Sequence, residues 1–417
     1  MTSPAVVIDN GSYTTKAGFA TDDLPNLVFS SNYMIDKNGK VIIGDDEMLN
    51  NPNLEVMTLL DNGLVYNFDR IVDNWSYVYD NIDNNNGIDS KEYPLVITEQ
   101  TWNTNKNKTK LCQIAFENFE VPIFSLIKNP LSQLYGCGKS TGLVIDIGAS
   151  VTSVTPILDG IIQNKSSYHS KYAGDFLNLH ILNYLQSKTD NLGVSGSDSF
   201  KQWNLSHGLL SDYKNLSLSY QVKNYQLLNH SHINVSDQRN HLEHLFDPIS
   251  FKIPNISIPE PTLDKPESHG LTNLIYFSLT NLQQSLYATN SDSNGAPSQN
   301  RFARFIELFK TLLNNVLITG GTSSAQGLPD HIINDLRALT QKFFPDYPFS
   351  YAVHQIRPTN SDNSDIWDRQ FGSWLGACNL ANMLNDESGN KIALDNWFIS
   401  KADYEELGED LVLEKFK

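Results

Sequence analysis

The sequence predicts an α/β fold made by duplication, and three observations carry that reading. A strand followed by Asp-x-Gly occurs twice with matching context, as Val6-Val7-Ile8-Asp9-Asn10-Gly11-Ser12 and Leu143-Val144-Ile145-Asp146-Ile147-Gly148-Ala149-Ser150. Stretches with apolar residues three and four apart alternate with short β-branched runs. The 417 residues are enough for more than one buried core.

Each apolar run before the aspartate suits a buried strand. The following glycine lets the chain turn sharply into a second strand. The tip of such a hairpin presents backbone N–H groups, a shape suited to cradling phosphates. Asp-x-Gly alone is a common turn signal; two copies behind matching strands point to two halves with a ligand cleft between them. The spacing predicts helices over Phe68–Tyr79, Lys108–Phe119, Phe176–Leu185 and Ile306–Leu313. Leu95–Thr98 and Val316–Thr319 read as strands.

Three regions read as irregular. Asp80–Ser90 is acidic and Asn-rich. Ile249–Pro266 holds Pro254, Pro259, Pro261 and Pro266, with Pro248 just before, which excludes a central strand or helix. Asn290–Asn300 reads as a low-complexity insertion.

Acidic residues number 47 against 30 basic ones, a formal charge of −17. That surface repels nucleic-acid backbones and suits a basic protein partner. Cys112, Cys137 and Cys378 are few, odd in number and set among apolar residues, so they read as buried reduced thiols. The N-terminus has no basic start and only a short apolar run, and reads as neither a signal peptide nor a membrane anchor.

Asp9-Asn10-Gly11-Ser12 followed by Lys16 to Pro25 resembles the opening of actin. The resemblance continues through Asp61 to Asn67, Ile97-Thr98-Glu99, Gln113 to Phe119, Gly138 to Gly142, Leu245 to Pro248, Ile318 to Thr322, Trp374 to Gly376 and Trp397 to Lys401, covering nearly the whole chain in order. It implies an actin-like, duplicated ribonuclease H-like fold with two lobes and four subdomains around a central cleft. Subdomain 1 would comprise residues 1–30, 66–136 and 371–417, and subdomain 2 residues 31–65. Subdomain 3 would comprise 137–172 and 270–370, and subdomain 4 residues 173–269. Within actin-related proteins, Asp146 to Ser150, Gly174 to Leu177 and the insertion before Thr319 resemble the divergent subunits of SWI/SNF- and RSC-type chromatin remodellers. Such subunits pair with a second actin-related protein on a long helix of the motor ATPase subunit, in the nucleus.

The resemblance also implies which cleft groups remain. Asp9, Gly11, Ser12 and Lys16 stand in the first phosphate loop, Asp146 and Gly148 in the second, and Gly174, Gly320, Gly321 and Thr322 on the adenosine side. The glycines are equally expected from turn geometry alone. Other positions depart from the family. Tyr13 replaces a loop glycine; Ala149 and Ser150 replace an aspartate and a glycine; Ser153 replaces a histidine. Asn129, before Pro130, replaces the glutamine that orients the attacking water. Asn215, Ala325 and Gln370 replace a ribose-binding glutamate, an adenine-flanking tyrosine and a lysine. The expectation is no catalytic residue, no metal, weak or absent ATP binding and no enzyme activity.

The family's apolar helix-binding groove maps onto Tyr135, Gly138 and Ser140 on one wall and Leu380 and Met383 on the other. Taken singly, Tyr135 and Leu380 are expected as ordinary core residues. The acids Glu405, Glu406, Glu409, Asp410 and Glu414 would lie near that groove. The segment Ser31 to Ile43 is shorter than the family's polymerisation loop, which disfavours filaments. His230, His232, His241 and His244 carry metal-like spacing, but their Asn- and Ser-rich setting reads as a solvated surface. An ATPase or sugar-kinase-like enzyme and a cytoskeletal polymer subunit are the competing functions. The missing carboxylate, histidine and glutamine weigh against the first, and the short segment against the second.

Overall fold

A computed structural model describes residues 3–83, 86–189, 191–216, 224–226, 232–234, 241–250, 252–253, 256–288, 299–357, 365–386 and 390–417. It divides into one compact unit of residues 1–138 with 371–417, and a second of residues 139–370.

The first unit holds a six-stranded sheet in the order Ile399–Ser400, Ile123–Lys128, Leu95–Glu99, Val6–Asn10, Thr14–Phe19, Leu27–Ser30. Val6–Asn10 runs antiparallel to Thr14–Phe19 and parallel to Leu95–Glu99. Strand alternation sends Val6 and Ile8 into one apolar cluster with Trp75, Ile71 and Phe124, and Val7 into another with Trp374 and Phe398. Both faces are covered, which explains why the strand reads as a continuous apolar run. Helix Phe68–Asn81 begins where the Asn67 side chain accepts from the Arg70 N–H at 3.3 Å, and it buries Ile71, Trp75, Val78 and Tyr79.

Two helix-like readings shift. The helix predicted over Lys108–Phe119 runs Asn105–Gln113, started by the Thr104 hydroxyl, and continues as a wider π turn over Ile114–Asn118. Helix Phe68–Asn81 also takes in the start of the segment read as a loop from Asp80. The segment after Ser31 folds as a tight hairpin, with Tyr33–Ile35 paired to Val41–Ile42 and to Val56–Met57. Its turn is fixed by Asp36 Oδ1, which accepts from the Asn38 and Lys40 N–H groups, each at 2.8 Å.

In the second unit a five-stranded sheet places Ile161–Ile162, Thr152–Leu158, Gly142–Ile147 and Val316–Thr319 side by side, with Tyr168–Ser170 also on Thr152–Leu158. The connectivity repeats that of the first unit: an antiparallel hairpin whose leading strand has a parallel neighbour on its other side. Helices Leu271–Ala288, Gln299–Asn314 and Leu328–Phe343 bury Leu274, Phe309, Leu336 and their neighbours against Leu143, Ile145 and Ile147. Helices Gly174–Gln186, Asp198–His207 and Leu209–Leu216 form a smaller cluster around Ile181, Leu185 and Leu210. The described parts of the Pro-rich segment, and its neighbour Pro266–Ser268, hold turns and a single bridge, Thr262 to Lys265. Most of Asn290–Asn300, with Pro254, lies outside the described residues. All three cysteines are buried and none is in a disulfide, as the composition predicts. No helix among the described residues is long and apolar enough to cross a membrane.

Candidate functional site

The two Asp-bearing hairpins are the same construction in register. In the first, Ile8 lies beside Ile97 on the parallel strand, which brings Asp9 next to Thr98, and Lys16 lies opposite Asp9 on the antiparallel strand. In the second, Ile145 lies beside Ile318, Asp146 beside Thr319, and Ser153 opposite Asp146.

Their polar chemistry differs. Lys16 Nζ donates to Asp9 Oδ2 at 3.2 Å and the Thr98 hydroxyl donates to Asp9 Oδ1 at 2.6 Å, with both charges buried. Gly11 is required here, because a Cβ would stand 2.9 Å from the Thr14 carbonyl oxygen and 3.2 Å from Lys16 Nζ. A buried polar mesh holds the hairpin from behind. Asn10 Nδ2 donates to Asn74 Oδ1 at 2.9 Å, Asn10 Oδ1 accepts from Trp75 Nε1 at 3.0 Å, and the Thr15 and Ser31 hydroxyls share a bond of 2.8 Å. Ser12 and Tyr13 complete the tip, and the Ser31 N–H donates to the Tyr13 carbonyl at 3.1 Å.

In the second unit the place equivalent to Lys16 carries the short, 3 % exposed side chain of Ser153. The hairpin tip is tied to its neighbours through its carbonyls. Gly174 N–H donates to Gly148 O at 3.0 Å, Asp175 N–H to Ala149 O at 2.7 Å, and the Thr322 hydroxyl to Gly148 O at 2.8 Å. Gly174 and Gly320 permit this approach. A Cβ at Gly174 would meet Thr322 Oγ1 at 2.4 Å; one at Gly320, where φ is +88°, would meet Asp146 Oδ1 at 2.4 Å. A Cβ at Gly321 would meet nothing within 4 Å, and Thr322 is buried. Arg369 staples the following turn: its main-chain carbonyl accepts from Gly320 N–H at 3.0 Å, and its guanidinium donates to the Ile318 carbonyl at 2.7 Å.

Asn129, buried, opens helix Asn129–Gly136, and its Oδ1 meets no protein donor. Ala325 is 1 % exposed and lies in the second unit's core. Asn215 lies in helix Leu209–Leu216 beside Lys214, whose ammonium donates inward to Asn178 Oδ1 at 3.3 Å. Burial pushes the Asp175 carboxyl up and the Lys214 ammonium down, each one's charge opposing the other's shift.

Tyr135, Leu380 and Met383 belong to one apolar cluster of the first unit; Leu380 is in its core, while Tyr135 and Met383 pack half-buried at its edge. Burial raises the Tyr135 phenol. Gly138 and Ser140 are exposed, Gly138 with φ of +66°. The C-terminal acids are exposed on helices Lys401–Leu407 and Glu409–Lys415.

The histidine reading needs correcting. His241 and His244 are buried, not solvated: they sit in the turn His241–Leu245, packed on helix Gly174–Gln186, where the His244 ring stacks on His180 at 3.8 Å. Burial first, and the charge of His244 second, pull His180 down to about 4, which leaves the His180 imidazole neutral near pH 7. His230 lies outside the described residues, as does the side chain of His232. Among the described residues no three His, Cys, Asp or Glu side chains converge as a metal's donors would.

Sequence reasoning missed the buried charge cluster Glu99, Lys128 and Lys108. Glu99 pairs with Lys128 across adjacent strands and accepts from Asn103 Nδ2 at 2.7 Å. The signal was present: a lysine ending the apolar strand Ile123–Lys128, in register with a glutamate ending Leu95–Glu99.

A duplicated α/β architecture, with paired Asp hairpins and glycines at each tip, defines the class. The family model for actin matches residues 1–221 and 303–417, and the chain belongs to the actin family. It is 27% identical to actin-related protein 4 of Yarrowia lipolytica, over 98% of this chain and 95% of that relative. It is also 27% identical to actin-related protein 7 of Saccharomyces cerevisiae, over 97% and 96%. The SWI/SNF and RSC complexes subunit arp42 of Schizosaccharomyces pombe is 25% identical over 98% and 97%.

Proposed function

We propose that this chain is a non-catalytic, nuclear, actin-related subunit of a SWI/SNF- or RSC-type chromatin remodeller. It binds a long helix of the motor ATPase subunit together with a second actin-related protein, and it regulates remodelling and transcription. The supporting observation is the inequality of the two hairpins: Asp9 keeps a buried lysine, whereas Asp146 faces Ser153 beside Ala149. The resemblance implies that hydrated magnesium on a triphosphate takes two carboxylates from the second loop besides the first loop's one, and hydrolysis takes groups that orient water. Ala149, Ser153 and Asn129 supply neither the second carboxylate nor the histidine and full-length glutamine. The residues present do not fit Mg-ATP turnover, and no catalytic step runs through them. The full-length similarity to a protein named as a SWI/SNF and RSC subunit supports the assembly. The four-subdomain division and the helix-binding role of Tyr135, Gly138, Ser140, Leu380 and Met383 belong to the same proposal.

Purification of the tagged chain from nuclear extract is expected to recover a motor ATPase and a second actin-related protein in equal amounts. Recovery in filaments, or alone with bound nucleotide, overturns the reading. The isolated chain is expected to show no ATP turnover. Binding should be weakened by about 1 kcal/mol or more for each lost contact. Turnover that disappears in Asp9→Asn contradicts it.

A further inference from the structure

The C-terminal end of the chain is seated on a buried lysine. Helix Glu409–Lys415 lies against helix Asn105–Gln113 and plants Val412 and Phe416 in the core formed with Leu111, Phe116 and Phe124. The Phe416 ring meets Phe124 edge-on at 6.1 Å. Beneath it, Lys108 is 5 % exposed, and its ammonium donates to the Phe416 main-chain carbonyl at 2.6 Å.

A buried ammonium is expensive unless a carboxylate neutralises it. The carboxylate at hand is Glu99, and it is engaged: one oxygen takes Lys128 and the other takes Asn103. Lys128 ends the neighbouring strand and adds a second positive charge. The acids of the terminal helix, Glu409, Asp410 and Glu414, are exposed. Lys108 is thus held by a neutral carbonyl that belongs to the very segment covering it.

We propose that residues 409–417 form a releasable strap whose docking is opposed by the positive charge it buries on Lys108. Apolar contacts of Val412 and Phe416 close the strap, and hydration of the ammonium favours its opening. This inference is independent of the remodelling role and of nucleotide.

The charge makes the balance pH-dependent. Burial first, and the charge of Lys128 second, bring Lys108 down from 10.5 to about 8, with Glu99 acting the other way. A lysine with a lower pKa when docked than when free sheds its proton more readily in the docked state. Docking therefore strengthens as pH rises from about 8 towards 10.5, and weakens as pH falls through 8. Those two values correspond to a roughly tenfold smaller opening equilibrium at pH 9 than at pH 7.

Hydrogen exchange of the Val412 and Phe416 amides in the full chain, corrected for the intrinsic chemical rate at each pH, measures that opening. The expected result is the tenfold difference in wild type, its loss in Lys108→Met, and opening increased at both pH values in Phe416→Ala. Equal opening at pH 7 and pH 9 in wild type overturns the proposal, as does a tenfold ratio that persists in a folded Lys108→Met. Should Lys108→Met fail to fold by circular dichroism, the wild-type ratio decides.

Discussion

Gly376→Ala is expected to destabilise the first unit by about 3 kcal/mol or more, read as a lower urea midpoint with an unchanged slope. Gly376 lies in helix Asp365–Asn382, where that helix crosses Asn129–Gly136. A Cβ there would stand 1.8 Å from the Ser132 carbonyl oxygen and 2.3 Å from its carbon. The obstacle is backbone, so no rotamer change relieves it. Neither helix is free to retreat. The Ser132 hydroxyl donates to the carbonyls of Asn129 and Ser373 at 3.0 and 3.1 Å, and Gln133 Nε2 donates to the Ser373 hydroxyl at 2.8 Å. Trp374 Nε1 reaches the Val7 carbonyl at 3.0 Å, fastening the same helix to the central strand. Gly321→Ala is the control, since an added Cβ meets nothing within 4 Å and no unusual φ is required. It should change stability by no more than about 0.5 kcal/mol. A Gly376→Ala protein as stable as the control would refute the close crossing.

Glu99→Gln should cost a comparable amount, about 3–5 kcal/mol, because it leaves the largely buried ammonium of Lys128 without its carboxylate. The neutral amide keeps the shape and an acceptor for Asn103, so the loss reports charge and not packing. Adding Lys128→Met to Glu99→Gln should recover most of the stability, since removing both partners of a buried pair is far cheaper than removing one. The double-mutant cycle by chemical denaturation measures this coupling. If the single and double variants unfold at the same midpoint, the pair is not the source of the cost.

The chain shows what a linear pattern carries. Val6-Val7-Ile8-Asp9 and Val144-Ile145-Asp146 announce their strands because burial on both faces leaves unbroken apolar runs, and the glycines mark the turns. Helix Phe68–Asn81 is legible because Asn67 caps it and its buried residues recur at helical spacing. What escaped notice depends on residues far apart in the chain. The crossing at Gly376 needs Ser132 and Gly136 as its floor, although Gly372 and Gly376, four apart, carry a close-packing signature. The Glu99 and Lys128 pair exists only because two strands run parallel in that register. His241 and His244 sit among Asn- and Ser-rich neighbours, and their burial comes from His180 and Tyr184 on a helix read separately. The π turn at Ile114–Asn118 leaves the helical periodicity nearly intact while ending the regular helix at Gln113.

Arg369 has an effect on the outermost strand of the second sheet. Val316–Thr319 would otherwise expose a row of main-chain donors and acceptors, onto which a foreign strand could zip. Instead the Val316 N–H donates to His354, its carbonyl accepts from Ile356, the guanidinium covers the Ile318 carbonyl, and the Gly320 N–H is spent on Arg369. The border is sealed from within the same polypeptide, so a partially unfolded neighbour finds little there to template fibrous growth.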